Sequence, residues 1–433
     1  MPIVTEEIMI ALCAVLRPLP IGTNLALLHV MWMLVSGKLL NSRGALFPGL
    51  LRSGLTTAEI RRAWAAFRYG CWGIDELLAN WRESVREQGE WCAHQYEGYR
   101  VKAVDLTAFW RPQLKNNRSK HYHAQAGKAL PAIVMGIVGS IGSVKGQRSA
   151  LPTDLMRVDP DDPREKTLQA QMLNRVADTL ASDEIGVFDA GFKIADLQAA
   201  GIERFAVRLA KNFVARRNEL PVQPGRGRPA EYGRKVRPLV RHYRGREIPA
   251  TPPDDCVSWD SDDRTLTAHI WTNLVLPDVK VSPDAQTFTV FAIYDPLYTN
   301  PLLVGVPLPL HAASVHAIYC DRWPIEQLPL AAKQMIGAHR QFVSAPASCQ
   351  RLPELALLAG SILTYFAATH PAIPTGFWDR HPKPTPGRLR RTLIALPFPK
   401  TYPLPARFRK KATVTGHLLK GTLARRDVNS TAA

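Results

Sequence analysis

The sequence predicts an α/β protein built on a mixed sheet, with a helical section ahead of it and a β-rich insertion within it. Three observations carry that expectation. Apolar residues recur at helical spacing through residues 1–98. The period then switches to strand alternation in "YRVKAVDLTAFW". From there three strands, a helix, a strand, a helix and a strand succeed one another, the order of an α/β plan with a mixed sheet.

The 433 residues are 46% hydrophobic, enough to bury a large core divided into about two to four domains or subdomains. Lys and Arg number 55 against 37 Asp and Glu, a formal net charge of +18. Such a balance selects polyanions as partners: DNA, RNA or an acidic membrane surface. Six cysteines without a CxxC pair argue against a zinc module and a disulfide framework, and fit a reducing cytoplasm. The N-terminus carries Glu6 and Glu7 where a secretory signal needs positive charge. "NLALLHVMWMLVSG" and "LALLAGSILTYFAAT" are shorter than a bilayer span, so both are expected as buried helices and no membrane partner is expected.

Residues 1–98 form the first expected domain. "TTAEIRRAWAAFRYG" and "GIDELLANWRESVREQ" are amphipathic, and Thr56 and Thr57 precede Glu59 in a capping arrangement. A helix-turn-helix DNA reader and a plain helical bundle or dimerisation module both fit. Residues 99–207 form the first part of the α/β core. Here "YRVKAVDLTAFW", "ALPAIVMGIVGSIG" and "VKGQRSALPTDLMRV" read as strands and "DPREKTLQAQMLNRVADTL" as a helix. The strand "EIGVFDAGF", the helix "KIADLQAAGI" and the strand "ERFAVRLA" follow. His121 and His123 alternate like ligands on a strand but lack a third partner, so a polar loop near nucleic acid is the better reading.

Residues 208–310 form the basic and β-rich insertion. From Arg208 to Arg246 the chain holds twelve Lys or Arg against two Glu. Gly and Pro make "PGRGRP" a loop, and interleaved Phe213, Tyr232 and Tyr243 suit contact with bases and backbone. Arg226, Arg228, Arg234 and Lys235 are the candidate DNA contacts of this stretch; a solvated loop without ligand is the alternative. "TLTAHIWTNLVL" and "TFTVFAIY" supply strands. Residues 311–380 return to the core, and 381–433 form a basic, Pro-rich extension that adds non-specific DNA affinity.

"YCDRWPIEQLPLAAK" sets Tyr319, Arg322, Glu326 and Lys333 among apolar residues. At about 100° per residue the four fall within an arc of roughly 60° on one helix face, with a kink expected at Pro329. A solvated Arg322–Glu326 pair is the plain reading; a carboxylate for a metal, flanked by phosphate-gripping groups, is the other. Partner carboxylates are at hand, because Asp105 ends the first strand and Asp189 ends "EIGVFD". Carboxylates at adjacent strand ends, joined by Glu326, can hold two divalent cations, with Mg²⁺ the natural occupant. Phosphodiester chemistry follows from such a site.

The spacing Tyr-x2-Arg-x3-Glu-x6-Lys resembles the signature of a large subgroup of DDE transposases of bacterial insertion sequences, and Tyr319, Arg322, Glu326 and Lys333 match it at every position. A chance match is on the order of a few in a thousand, so this pattern outweighs either Asp motif alone. "DAGF" at Asp189 is similar to the second-aspartate motif, with Ala190 where a basic residue is common, and "VDLT" at Asp105 is similar to the first. "PGRGRPAEYG" is similar to a basic stretch of some members.

The resemblance spans about residues 99–345. It implies an RNase H-like core interrupted by a β-rich insertion, with Asp105, Asp189 and Glu326 as a metal-binding catalytic triad. The implied cofactor is Mg²⁺ as two ions, with Mn²⁺ able to substitute. Tyr319, Arg322 and Lys333 would contact DNA phosphates. The implied activity is endonucleolytic cleavage of terminal inverted repeats and joining of the 3′-hydroxyl to target DNA, that is, DNA recombination by transposition. Double-stranded DNA, transposon ends and target, is the implied partner, with a homodimer in the synaptic complex and a cytoplasmic, nucleoid-associated location. A catalytically silent DNA-binding relative and a metal-dependent nuclease without strand transfer are the alternatives. Some members hold a flipped base on an aromatic residue of the insertion; Trp259 and Trp271 are the candidates here, against an ordinary core or surface role.

Overall fold

The computed structural model describes residues 3–111, 113–114, 117–159, 161–222, 225, 229–409, 414–415 and 418–419. Arg226 and Arg228, and most of the C-terminal extension past Arg409, lie outside the described residues.

Helices α1 (Ile3–Leu16), α2 (Thr23–Val35), α3 (Lys38–Asn41), α4 (Leu46–Leu51), α5 (Thr57–Tyr69) and α6 (Ile74–Gln88) open the chain. Strands β1 (Trp91–Ala93), β2 (Gln95–Tyr96), β3 (Tyr99–Trp110), β4 (Lys120–His123), β5 (Lys128–Val144) and β6 (Gln147–Arg157) follow. Then come α7 (Glu165–Thr179), β7 (Glu184–Phe188), α8 (Ile194–Ala199) and β8 (Phe205–Arg208). The β-rich stretch holds β9 (Ala215–Arg217), β10 (Lys235–Val236), β11 (Arg241–Tyr243), β12 (Arg246–Ile248), β13 (Asp255–Ser261), β14 (Arg264–Val275), β15 (Phe288–Tyr294) and β16 (Leu302–Val306). Helices α9 (Ala312–Cys320), α10 (Trp323–Leu330), α11 (Pro346–Thr369) and α12 (Pro386–Leu393) follow.

The chain forms two units interleaved in sequence. Met1–Ala93, Leu106–Leu168 and Pro324–Ala433 make the first; His94–Asp105 and Gln169–Trp323 make the second. The first unit is built around α2 and α11. Every residue of α2 from Ala26 to Val35 is buried, which explains a composition apolar on all sides. Helix α11 starts nine residues before the apolar run that announces it. It is long and apolar enough to cross a membrane, yet 83% of its apolar window is buried inside the fold. It packs on β5 and β6 and on α1, α2, α5, α6 and α12, and Trp81 of α6 donates its indole N–H to Ser361 Oγ at 3.0 Å. Thr56 caps α5 in a full capping box with Glu59. The helical reading of residues 1–98 fails at its end: Gly89, at φ 69°, stops α6, and Trp91–Ala93 pair with β5 as a strand instead. Strand β5 pairs antiparallel with β6, and Arg111 N–H, just past β3, bonds Pro131 O at 2.9 Å.

The second unit is a mixed sheet with helices. Its parallel part runs β3–β7–β8, in the registers Val104↔Phe188 and Phe188↔Val207. The crossover helix α7 buries Met172, Leu173 and Val176 at helical spacing. Strand β16 then pairs antiparallel with β8, β15 with β16, and β14 with β15, so the β-rich stretch widens the same sheet. Beyond β14 lie β9 and β10 at the far edge. Trp271 is 1% exposed and its indole N–H reaches Thr251 O and Pro252 O; it is a core residue and presents no ring to a base. Trp259 is half-buried on β13, 6.1 Å from the His316 ring.

Candidate functional site

The register of the parallel strands puts a row of charges across them: Asp189 and Arg208 stand at the ends of β7 and β8, whereas Asp105, expected at a strand end, lies inside β3, which runs on to Trp110. Val104, Phe188 and Val207 pair across β3, β7 and β8, so the next residue on each strand, Asp105, Asp189 and Arg208, stands in one row. Neighbouring strands are about 4.8 Å apart, and residues in one row of a parallel sheet share a face. Arg208 Nη1 lies 3.8 Å from Asp189 Oδ1.

The end of α9 covers this row. Tyr319, in its last turn, is 9% exposed, and its hydroxyl donates to Asp189 Oδ1 at 3.2 Å. Arg322 is 7% exposed, with Nη1 3.7 Å from Asp105 Oδ1 and its guanidinium carbon 5.9 Å from the Tyr319 ring centre. A continuous chain therefore runs Asp105, Arg322, Tyr319, Asp189, Arg208. Burial first, and then the Asp189 carboxylate, push the Tyr319 hydroxyl above its usual pKa. It keeps its proton at neutral pH and stays a donor.

Helix α9 is fixed by Asp321, which caps its end and is 3% exposed. His94 Nδ1 lies 2.6 Å from Asp321 Oδ2, and Tyr96 donates its hydroxyl to the same oxygen at 2.7 Å. Asp321 is thus the anchor that holds Tyr319 and Arg322 over the charged row. It is one of the unnamed positions of the signature, so spacing alone gave it no weight. Arg208 was visible only as the first residue of the basic run.

The single helix expected over Tyr319–Lys333 is not formed. Helix α9 ends at Cys320, a turn follows, α10 spans Trp323–Leu330, and a π-helical turn occupies Ala331–Met335. The reason is local. Pro324 suits a first turn, while Pro329 lacks the N–H that a regular ladder needs, and the wider turn directly after it takes up the mismatch. Tyr319 and Arg322 are therefore held by a helix end and a turn, and the one-face argument does not describe them.

Glu326 is half-buried on α10, one helical turn past Arg322 in sequence, in the first unit. Lys333 lies in the π-helical turn, donating to Thr107 Oγ1 at 2.6 Å and standing 5.3 Å from the Phe109 ring centre. Arg234 and Lys235 are exposed, at β10, which in the sheet order lies seven strands from β3. That is roughly 30 Å along a sheet, so they are not part of the charged row. His121 Nδ1 lies 2.8 Å from Glu165 Oε2, and Trp110 sits beside the rings of His121 and His123. Among the described residues no group of three or more His, Cys, Asp or Glu side chains is gathered closely enough to hold a metal ion.

No protein-family model matches the chain, and no curated protein is significantly similar to it.

Proposed function

We propose that the protein is a Mg²⁺-dependent DNA transposase of the DDE type with an RNase H-like core. The observation that carries this reading is the placement of Asp105 and Asp189 one residue beyond the same register pair on adjacent parallel strands. The strand succession also supports it: β5 and β6 form an antiparallel hairpin after β3, and β7 and β8 run parallel to β3. The signature at Tyr319, Arg322, Glu326 and Lys333 adds the third carboxylate and the phosphate-binding groups.

The donor set suits a hard divalent cation, since Asp105 and Asp189 offer only oxygen and are half-exposed. On this reading Asp105 and Asp189 hold the ions together with Glu326. Bound there, Mg²⁺ would supply Lewis-acid stabilisation of the leaving oxygen and an activated water or 3′-hydroxyl. Tyr319 keeps its proton and donates to phosphate or carboxylate oxygen. Arg208 and Arg322, already within 4 Å of the carboxylates, would take phosphate oxygens on this reading, and Lys333 would contribute a further cation. Cutting two element ends and joining them to a target calls for at least two protomers on double-stranded DNA.

The second reading is a catalytically silent DNA-binding relative, favoured by the arginines that already neutralise the carboxylates. One experiment separates the readings. Full-length protein is incubated with Mg²⁺ and linear duplexes carrying the DNA that flanks its gene. The transposase reading expects end-specific cleavage and products covalently joined to new DNA, with a loss of at least about 10³-fold in Asp189→Asn. Cleavage without joining indicates a nuclease; binding without cleavage indicates the silent relative.

A further inference from the structure

The first unit contains a cavity of about 1110 Å³ that plays no part in the chemistry above. Its lining is strongly basic. Arg43, Arg118 and Arg340 line it and are exposed, and none has a carboxylate partner among the described residues. Two further arginines of the wall are already engaged: Arg111 donates to Gln341 Oε1 and Val343 O, and Arg157 to Glu354 Oε1. The one carboxylate of the wall, Asp159, accepts the Asp161 N–H at 2.8 Å.

The wall also holds buried polar atoms whose hydrogen-bonding capacity is unused. Ser119 is 6% exposed, and its Oγ, like Asn117 Nδ2, has no partner. Both atoms are shielded behind the wall, so phosphate contacts fall to the exposed arginines. Phe342 supplies an aromatic face. It lines the same cavity, the residue is 71% exposed, and its backbone N–H is fixed on Gly44 O at 3.1 Å.

We propose that this cavity binds a single nucleic-acid strand, with phosphates on Arg43, Arg118 and Arg340 and an unpaired base on Phe342. Free guanidinium groups and an exposed ring are the combination that phosphodiester backbone and base face require. A duplex buries the faces of its bases, so only an unpaired strand uses Phe342. The site needs no divalent ion and does not rest on the transposase reading.

The test is fluorescence anisotropy with labelled oligo-dT and a duplex of equal length, without divalent ions, on full-length protein and variants whose melting temperatures match the wild type. Arg118→Ala/Arg340→Ala should weaken oligo-dT binding at least tenfold and reduce the slope of log K against log salt by about 1.4, two phosphates at about 0.7 each. Phe342→Ala should weaken it about tenfold with the slope unchanged. Unchanged affinity in these variants overturns the proposal, as does an equal loss on the duplex. Weaker binding of inorganic phosphate or dTMP with oligo-dT unaffected also overturns it, because the cavity would then serve a small anion. Since Asp105 and Asp189 are untouched and no metal is present, either outcome leaves the carboxylate reading to its own experiment.

Discussion

His29 sits inside the first unit, edge-on to Phe398 at 4.6 Å between ring centres. Burial pushes its pKa down to about 4, with smaller and opposed influences from Glu59, Arg62 and Lys400. The depressed value means the folded state resists protonation while the unfolded chain does not. Its contribution is therefore present above about pH 6.5 and is lost as pH falls toward about 4, a change of about 3 kcal/mol. Melting temperatures of wild type and His29→Leu between pH 7 and 4.5 should show a steep acid loss only in the wild type; parallel curves would contradict it. The residues of the charged row behave differently as sequence signals. Asp105 and Asp189 were legible because each follows a recognisable apolar strand run, although β3 continues past Asp105 to Trp110. Arg208 was not, because a basic run does not say which of its members follows a sheet register.

At the scale of elements, the segment from α9 to the π-helical turn decides how the signature residues are displayed. Pro329 announced a kink, and the outcome is a helix end, a turn, a short helix and a wider turn. Gly337 closes that segment at φ 95°, and a Cβ there would come within 2.4 Å of Leu40 Cα. Gly337→Ala should therefore cost about 2 kcal/mol or more. Urea denaturation checks this, and a change under about 0.5 kcal/mol would show that the turn can move without penalty. Most strands and helices between Tyr99 and Arg208 were legible from their apolar patterning, but β4 was not: His121 and His123, expected in a polar loop, lie on a four-residue strand paired with β5. The short β1 and β2 were not legible either, since two or three residues carry no period, and they form because a long strand offers them an edge.

The whole molecule carries +18 charges, and its exposed arginines lie both on the β-rich stretch and around the cavity. Affinity for duplex DNA should fall steeply with salt, log K dropping by about 0.9 per neutralised phosphate against log salt. Anisotropy titrations from about 50 to 200 mM salt measure this, and a flat response would remove DNA as the partner that the charge selects. The interleaving of the two units has its own consequence. Strand β3 leaves one unit and enters the other between Asp105 and Leu106, and the chain crosses again between Trp323 and Pro324. The signature thus straddles both units, Tyr319 and Arg322 in one, Glu326 and Lys333 in the other.

By itself the sequence determined the α/β class, the basic character, the apolar strand runs that lead into Asp105 and Asp189, and the spacing of the signature, because all of these are local patterns or sums. Tertiary structure alone decided that Asp189 stands beside both Asp105 and Arg208, that Asp321 anchors Tyr319 and Arg322, and that arginines from distant segments line one cavity. Register between strands and the meeting of remote loops depend on contacts far apart in the chain, and no periodicity within a segment records them.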